Sequence, residues 1–248
     1  MKKILITGMS GLIGGAVRNQ LEDKYDLRAL NRSNVEGVDC HRADISDFDA
    51  IRPAFEGIDT VVHLAAAIKS DFDGFIDHNI RGTYNVFEAA NQAGVKRVIS
   101  ASSGSVTAGW ENDPPYTALV DGQYDNAPDT WEKFSHKTPT RPRGIYGCTK
   151  VWGEAVARHY ADSTDMSVIC LRIGAVNAED RPRGTRGYSV WCSQATIAKM
   201  VEACINASAD LKYDVFYVVS NNKWSYRDTD HAREVLGFEP EGNAEDHR

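Results

Sequence analysis

KILITGMSGLIGG, residues 3–15, runs from apolar residues into three glycines, Gly8, Gly11 and Gly14, at the spacing G-x-x-G-x-x-G. It opens onto GLIGGAVRNQLEDKY (11–25), whose apolar residues recur at helical period. Glycine at such a turn permits positive φ and close approach of the backbone to a ligand. The N-terminus of the following helix offers free N–H groups and a partial positive charge. A glycine triplet alone says little, but strand, turn and helix in this order make a pyrophosphate cradle. The stretch predicts dinucleotide binding through Gly8, Ser10, Gly11, Leu12, Ile13 and Gly14; a tight turn without a ligand is the alternative.

The same alternation continues outward. DLRALNR (26–32), DTVVHLAA (59–66), KRVISASS (96–103), MSVICLRIG (166–174) and YDVFYVVS (213–220) read as strands, nearly continuous in apolar residues. FDAIRPAFEG (48–57), HNIRGTYNVFEAANQAG (78–94), the stretch from about residue 146, SQATIAKMVEACINA (193–207) and DTDHAREVLGF (228–238) read as helices. Strands buried on both faces and separated by helices predict an α/β fold with a doubly wound parallel sheet of Rossmann type. The rhythm stops between Gly109 and Arg143, a stretch holding five prolines with Trp110 and Trp131. A connection of that length is usually functional or disordered, and its aromatics argue for an ordered active-site lid. AVNAEDRPRGTRG (175–187) is a second irregular segment. The expectation is one domain over 1–248, with a small C-terminal substrate-binding portion mainly from 174–248.

A chain of 248 residues, 42% apolar, is long enough for one sizeable core. Its net charge of −7 includes no basic stripe, so neither nucleic acid nor an anionic membrane is an expected partner, and a small molecule is. Five cysteines, Cys40, Cys148, Cys170, Cys192 and Cys204, show no CxxC spacing, which argues against a disulfide framework and a zinc ribbon. No apolar run approaches a membrane span, and ILITG is too short an apolar run for a signal peptide. A cytoplasmic protein with no metal is expected.

The end of the second strand usually decides between dinucleotides, through a carboxylate on the adenosine ribose. Here Asn31, Arg32 and Ser33 stand there instead. A guanidinium in place of an acid suits a 2′-phosphate and favours NADP; NAD bound through Asn31, with Arg32 in solvent, remains the other reading. Asp44 in HRADIS (41–46) is placed to meet adenine, to cap the helix that follows, or both.

RGIYGCTKVWGE (143–154) puts Tyr146 and Lys150 four residues apart, on one helical face. A tyrosine titrates near ~10 and works as a base near neutrality only beside a cation, which a lysine at that spacing provides. With TGMSGLIGG, ADI, HLAAA, Asn79 and the serines of ISASSGSV (99–106), this stretch resembles the extended short-chain dehydrogenase/reductase family over roughly the first 175 residues. The resemblance implies that Tyr146 is the catalytic acid or base and that Lys150 supports it and holds the nicotinamide ribose. It implies too that Ser103 binds the reacting oxygen, with Ser102 the competing serine, and that Asn79 maintains the site. Further cofactor contacts are implied at Ile45, Leu64, Ala65, Ala66, Ala101 and Ile173.

The family contains epimerases, dehydratases and dehydrogenases. Its dehydratases carry an Asp-Glu pair after the strand serine or threonine, where this chain has Gly104, Ser105 and Val106, so elimination is not expected. Nucleotide-sugar epimerases use a larger C-terminal portion than the 98 residues after Lys150. RIGAVN (172–177), TRGYSVWCSQATIAKMV (185–201) and FYVVSNNKWSYRDTDHAREVLGFEP (216–240) are similar to the compact uronate dehydrogenases, which oxidise C1 of a hexuronic acid to a lactone. That likeness implies a carboxylate anchor at Arg186 and a pocket from Ile68, Lys69, Ser103, Gly104, Ser105, Tyr146 and Ala175. The chain departs from it at Gly104 and Ser105, at Ala175, and in its longer 109–143 loop. NAD(P)-dependent oxidation of a small sugar or sugar acid is the expected reaction. Epimerisation and a non-catalytic NADP sensor are the alternatives, and a homodimer through the Tyr146 helix is expected.

Overall fold

The computed structural model describes all 248 residues. Seven strands form one parallel sheet: β1 (Lys3–Thr7), β2 (Asp26–Asn31), β3 (Asp39–Arg42), β4 (Thr60–His63), β5 (Arg97–Ser103), β6 (Ser167–Ile173) and β7 (Tyr213–Val218). Their order in space is β3-β2-β1-β4-β5-β6-β7. Helices α1 (Leu12–Leu21), α2 (Phe48–Ile51), α3 (Phe72–Gly74), α4 (Gly82–Gln92), α5 (Tyr116–Asp121), α6 (Gly144–Ser163), α7 (Gly184–Val190), α8 (Gln194–Asn206) and α9 (Asp230–Leu236) complete the chain. No helix is long and apolar enough to cross a membrane.

The period-two geometry of a strand divides each apolar run between two cores. Ile4 and Ile6 join Val17, Leu21, Ile197 and Val201 in a core with α1 and α8. Leu5, between them, points to the other face with Val61, Val86, Phe87, Val98 and Ala157. That second core rests on α2, α4 and α6. Chain order reverses between β2-β1 and β1-β4, which opens a crevice at the carboxyl ends of β1 and β4.

The 109–143 stretch is ordered. It carries α5 and short 3-10 turns, and its Tyr116, Leu119, Trp131 and Phe134 pack with Val190, Tyr217, Trp224 and Tyr226 in a third apolar cluster. The aromatics seen in the sequence therefore fasten this stretch to the C-terminal third. Sequence reading leaves 175–187 irregular throughout, whereas α7 begins at Gly184. The helix expected from residue 78 begins earlier, as a π-helix over Phe75–Arg81 that runs into α4 and carries Asn79. Such wide turns occur often at functional sites.

Candidate active site

The glycine turn is shaped by contact. Gly8 has φ +73, and a Cβ there would stand 2.9 Å from the Ala65 nitrogen. A Cβ on Gly14 would stand 2.4 Å from the Gly8 carbonyl oxygen, so both positions admit only glycine. Gly11 is the N-cap of α1 and no side chain closes that helix end, which leaves its first N–H groups directed at the crevice. Beside them lies a cavity of about 650 Å³, lined by the turn, Arg32, Ser33, Ile45, Ala101 and the loop through Lys69. Its size and its unencumbered backbone donors fit a dinucleotide. Thr7 ties the floor together: its hydroxyl accepts from the Leu64 and Ala65 N–H groups at 3.1 Å and contacts His63 Nδ1 at 2.8 Å. Burial, with the Lys150 charge nearby, lowers the His63 pKa to about 3, so the ring is neutral.

At the adenosine end, Asn31 is buried and turned inward, its Nδ2 donating to Ser10 Oγ at 2.7 Å. Asn31 therefore braces the glycine turn, while Arg32 is exposed on the cavity rim with no carboxylate partner. Asp44 accepts from the Ser46 N–H and hydroxyl at 2.9 and 2.8 Å, and His78 Nε2 lies 3.5 Å away. Burial alone would raise the Asp44 carboxyl, but Ser46, His78 and Arg32 together hold it below its ordinary value. The helical cap after HRADIS falls to Asp47, which accepts from the Ala50 N–H. Ile173, expected at the cofactor, is packed in the core with α8, and Val176, three residues on, lines the cavity.

Asn79 is 2% exposed and grips the loop after β4 by both its ends. Its Oδ1 accepts from the Ala67 N–H at 2.8 Å, and its Nδ2 donates to the Ala67 carbonyl at 2.9 Å and to Thr149 Oγ1 at 3.0 Å. It thus joins the cofactor loop to the helix of Tyr146 and Lys150. Lys150 is buried, donates to the Ala101 carbonyl at 2.8 Å and stands 5.7 Å from the Tyr146 ring centroid. Burial pulls its ammonium down to about 8. Tyr146 behaves differently from expectation: burial pushes its phenol up, and Ser103 is the group pulling it down. The lysine charge is directed to the Ala101 carbonyl rather than to the phenol.

The two serines separate clearly. Ser102 is buried and donates to Glu154 at 2.6 Å, and Glu154 in turn holds Arg172 through two 2.9 Å hydrogen bonds. That triad is internal scaffolding. Ser103 ends β5, accepts from the Ser105 N–H at 3.1 Å, and lies beside Tyr146.

Arg186 does not offer a free fork. Its Nε and Nη2 donate to the two carboxylate oxygens of Glu111, each at 2.7 Å. Tyr226 donates its hydroxyl to the same carboxylate at 2.7 Å, with Arg143 at 3.5 Å and Arg227 at 3.7 Å. Burial alone would raise the Glu111 carboxyl, and Arg186, Arg227 and Tyr226 outweigh it and keep the group ionised. Ile68 and Lys69 are exposed on the cavity rim, Gly104 is buried under Arg227, and Ala175 is exposed with its backbone bridged to Trp191. Glu111, Arg143, Tyr226 and Arg227 escape sequence reading. Glu111 is one acid in a long aromatic stretch, and no spacing links it to arginines 75 and 116 positions away.

A parallel sheet with a dinucleotide cradle at its reversal point, faced by a Tyr-Lys helix, places the chain among the extended short-chain dehydrogenases/reductases. It belongs to the NAD dependent epimerase/dehydratase family, whose model matches residues 4–218. It is 31% identical to the NAD-dependent glucose-6-phosphate dehydrogenase of Haloferax volcanii, over 97% of this chain and 94% of that one. It is 30% identical to the L-arabinose 1-dehydrogenase (NAD(P)(+)) of the same organism, over 98% of each. Among solved structures, it superposes on a tyrosine-to-alanine variant of uronate dehydrogenase from Agrobacterium tumefaciens complexed with NAD. The TM-score is 0.84 and the identity 30%, over all of this chain and 88% of the other.

Proposed function

We propose that this protein oxidises the C1 hydroxyl of a small cyclic sugar or sugar acid to a lactone, using a nicotinamide dinucleotide. The observation that carries the reading is the gathering of Ser103, Tyr146 and Lys150, with Lys150 bonded to the carbonyl of Ala101 in the lining of the glycine-turn cavity and Asn79 tying the cofactor loop to their helix. Relatives that align over nearly the whole chain are sugar dehydrogenases, which supports the same class. A dinucleotide held by the glycine turn would supply the hydride acceptor for C1. Ser103 holds the C1 oxygen, Tyr146 takes its proton, and Lys150 holds the ribose side of the site. Arg32 and Ser33 favour a 2′-phosphate at the adenosine end, so NADP is the preferred cofactor and NAD is also used. The protein is cytoplasmic, its five cysteines unpaired. It forms a homodimer through α4 and α6, whose outer faces expose Tyr84, Ala155 and His159.

The test is the appearance of reduced nicotinamide absorbance with NAD⁺ and NADP⁺ against aldoses, aldose phosphates and uronates. Tyr146→Phe should lower kcat at least ~100-fold, the range of a lost acid/base group, while cofactor affinity stays close to the parent's. Full turnover in that variant removes Tyr146 from the chemistry. Cofactor binding with no net reduction on any sugar replaces the reading with epimerisation or cofactor sensing.

A further inference from the structure

Four groups from three other parts of the chain converge on Glu111, whose side chain is 1% exposed. Arg186 on α7 closes a two-pronged grip on it, Tyr226 adds a third hydrogen bond, and Arg143 and Arg227 stand behind. Three guanidiniums and one phenol around two oxygens make a seat for a carboxylate.

The seat adjoins the reacting end of the pocket. Arg227 is 2% exposed, and its guanidinium lies against Gly104, the residue after Ser103, where a Cβ would be 2.2 Å from Cζ. Arg143 is the N-cap of α6, three residues before Tyr146, and its N–H donates to the Ser105 carbonyl at 3.2 Å. The Nε and Nη1 of Arg227 have no hydrogen-bond partner, so Glu111 is the nearby anion for a buried cation that lacks other compensation.

We infer that Glu111 is a built-in carboxylate that fills an acid-binding seat beside the active site, so that the sugar this enzyme oxidises carries no carboxylate. The inference rests on the dehydrogenase reading above and narrows its substrate. The fork of Arg186 accepts one carboxylate face to face. A uronate could take it only by evicting Glu111 into a buried position without partners, or by lying against a like charge. Arg143 is half exposed, and its Nη1 already stands 3.5 Å from Glu111.

Two measurements on the full chain test this. In Glu111→Ala the seat is emptied, with three arginines left around it. Formate or acetate, compared with chloride at equal ionic strength, should raise the thermal midpoint of this variant and leave the parent's unchanged. With the cofactor preferred by the parent, kcat/KM on glucuronate and galacturonate should fall at least ~100-fold below that on the best sugar without a carboxylate, and Glu111→Ala should narrow that gap at least ~10-fold. Glu111→Gln, which keeps the volume and removes the charge, replaces the alanine variant for the kinetic comparison if the latter does not fold. A parent that oxidises a uronate as efficiently as any other sugar overturns the inference. So does a folded Glu111→Ala whose midpoint responds to carboxylates no more than to chloride. If no sugar is oxidised by the parent, the dehydrogenase reading fails, and the midpoint response alone decides whether the seat takes a free carboxylate.

Discussion

Gly104 and Arg227 share one space: the guanidinium of Arg227 occupies the position that a side chain on residue 104 would fill, within 2.2–2.3 Å of the missing Cβ. The glycine is required by its neighbour, since φ at 104 is not in the left-handed region. Its absence of a side chain lets a buried cation approach the turn that carries Ser103.

Gly104→Ala should therefore cost about 1–3 kcal/mol, the usual penalty for forcing extra volume into a packed interior. The guanidinium cannot easily swing aside, because Arg227 is buried between the turn and the Glu111 cluster. Urea unfolding measures the loss. A variant as stable as the parent would mean that Arg227 moves freely.

Ser102 and Ser103 should respond in opposite ways. Removing the Ser102 hydroxyl deprives buried Glu154 of a 2.6 Å hydrogen bond, and a bond to a charged group is worth about 1.5–3 kcal/mol. Ser102→Ala should lower the unfolding midpoint. Ser103→Ala should leave that midpoint near the parent's and lower kcat/KM ~100-fold or more, as the loss of a hydrogen bond to the reacting oxygen does. The reverse pattern, with Ser102→Ala stable and inactive, would exchange their roles.

The sheet is legible because each strand is a short apolar run whose alternate residues serve two cores, as Ile4, Leu5 and Ile6 do. Gly8 and Gly14 are legible because only glycine meets the close contacts of the turn. The Tyr146–Lys150 spacing places both groups on one helix, so local periodicity suffices. What local pattern does not reveal is how a charge is partnered. The Arg186 fork reads as free until the fold brings Glu111 to it from 75 residues away, and the Lys150 ammonium, though near the Tyr146 ring, gives its hydrogen bond to the Ala101 carbonyl. Asn31 reads as a cofactor contact, and in the fold it both lines the cavity and donates to Ser10.

That inward turn leaves Arg32 as the exposed guanidinium at the adenosine rim, with Asp44 in the same lining. If it binds a 2′-phosphate, Arg32→Ala should lower the ratio of kcat/KM for NADP⁺ to that for NAD⁺ by ~10–100-fold, the value of one charge-assisted contact. The NAD⁺ value itself should change little. Equal losses with both cofactors would make Arg32 a structural residue of the rim, and no change would leave it a solvated side chain.

Lys150 links the site to pH. Burial lowers its ammonium from 10.5 to about 8 in the folded chain. Below about 8 both folded and unfolded chains hold the proton, and the folded state carries the full cost of a buried charge. Between about 8 and 10.5 the unfolded chain holds the proton and the folded chain gives it up, so rising pH favours folding. Tyr146 acts in the other sense at higher pH: its phenol is raised above 10.0, so the folded chain keeps its proton longer and stability falls beyond that point. Without cofactor, the unfolding free energy of the parent should thus gain on that of Lys150→Met across the window from about 8 to 10.5. Urea titrations of both chains at closely spaced pH values measure the difference. Parallel profiles would mean that the buried ammonium keeps its ordinary affinity for the proton, and that the Ala101 carbonyl, at 2.8 Å, compensates its burial in full.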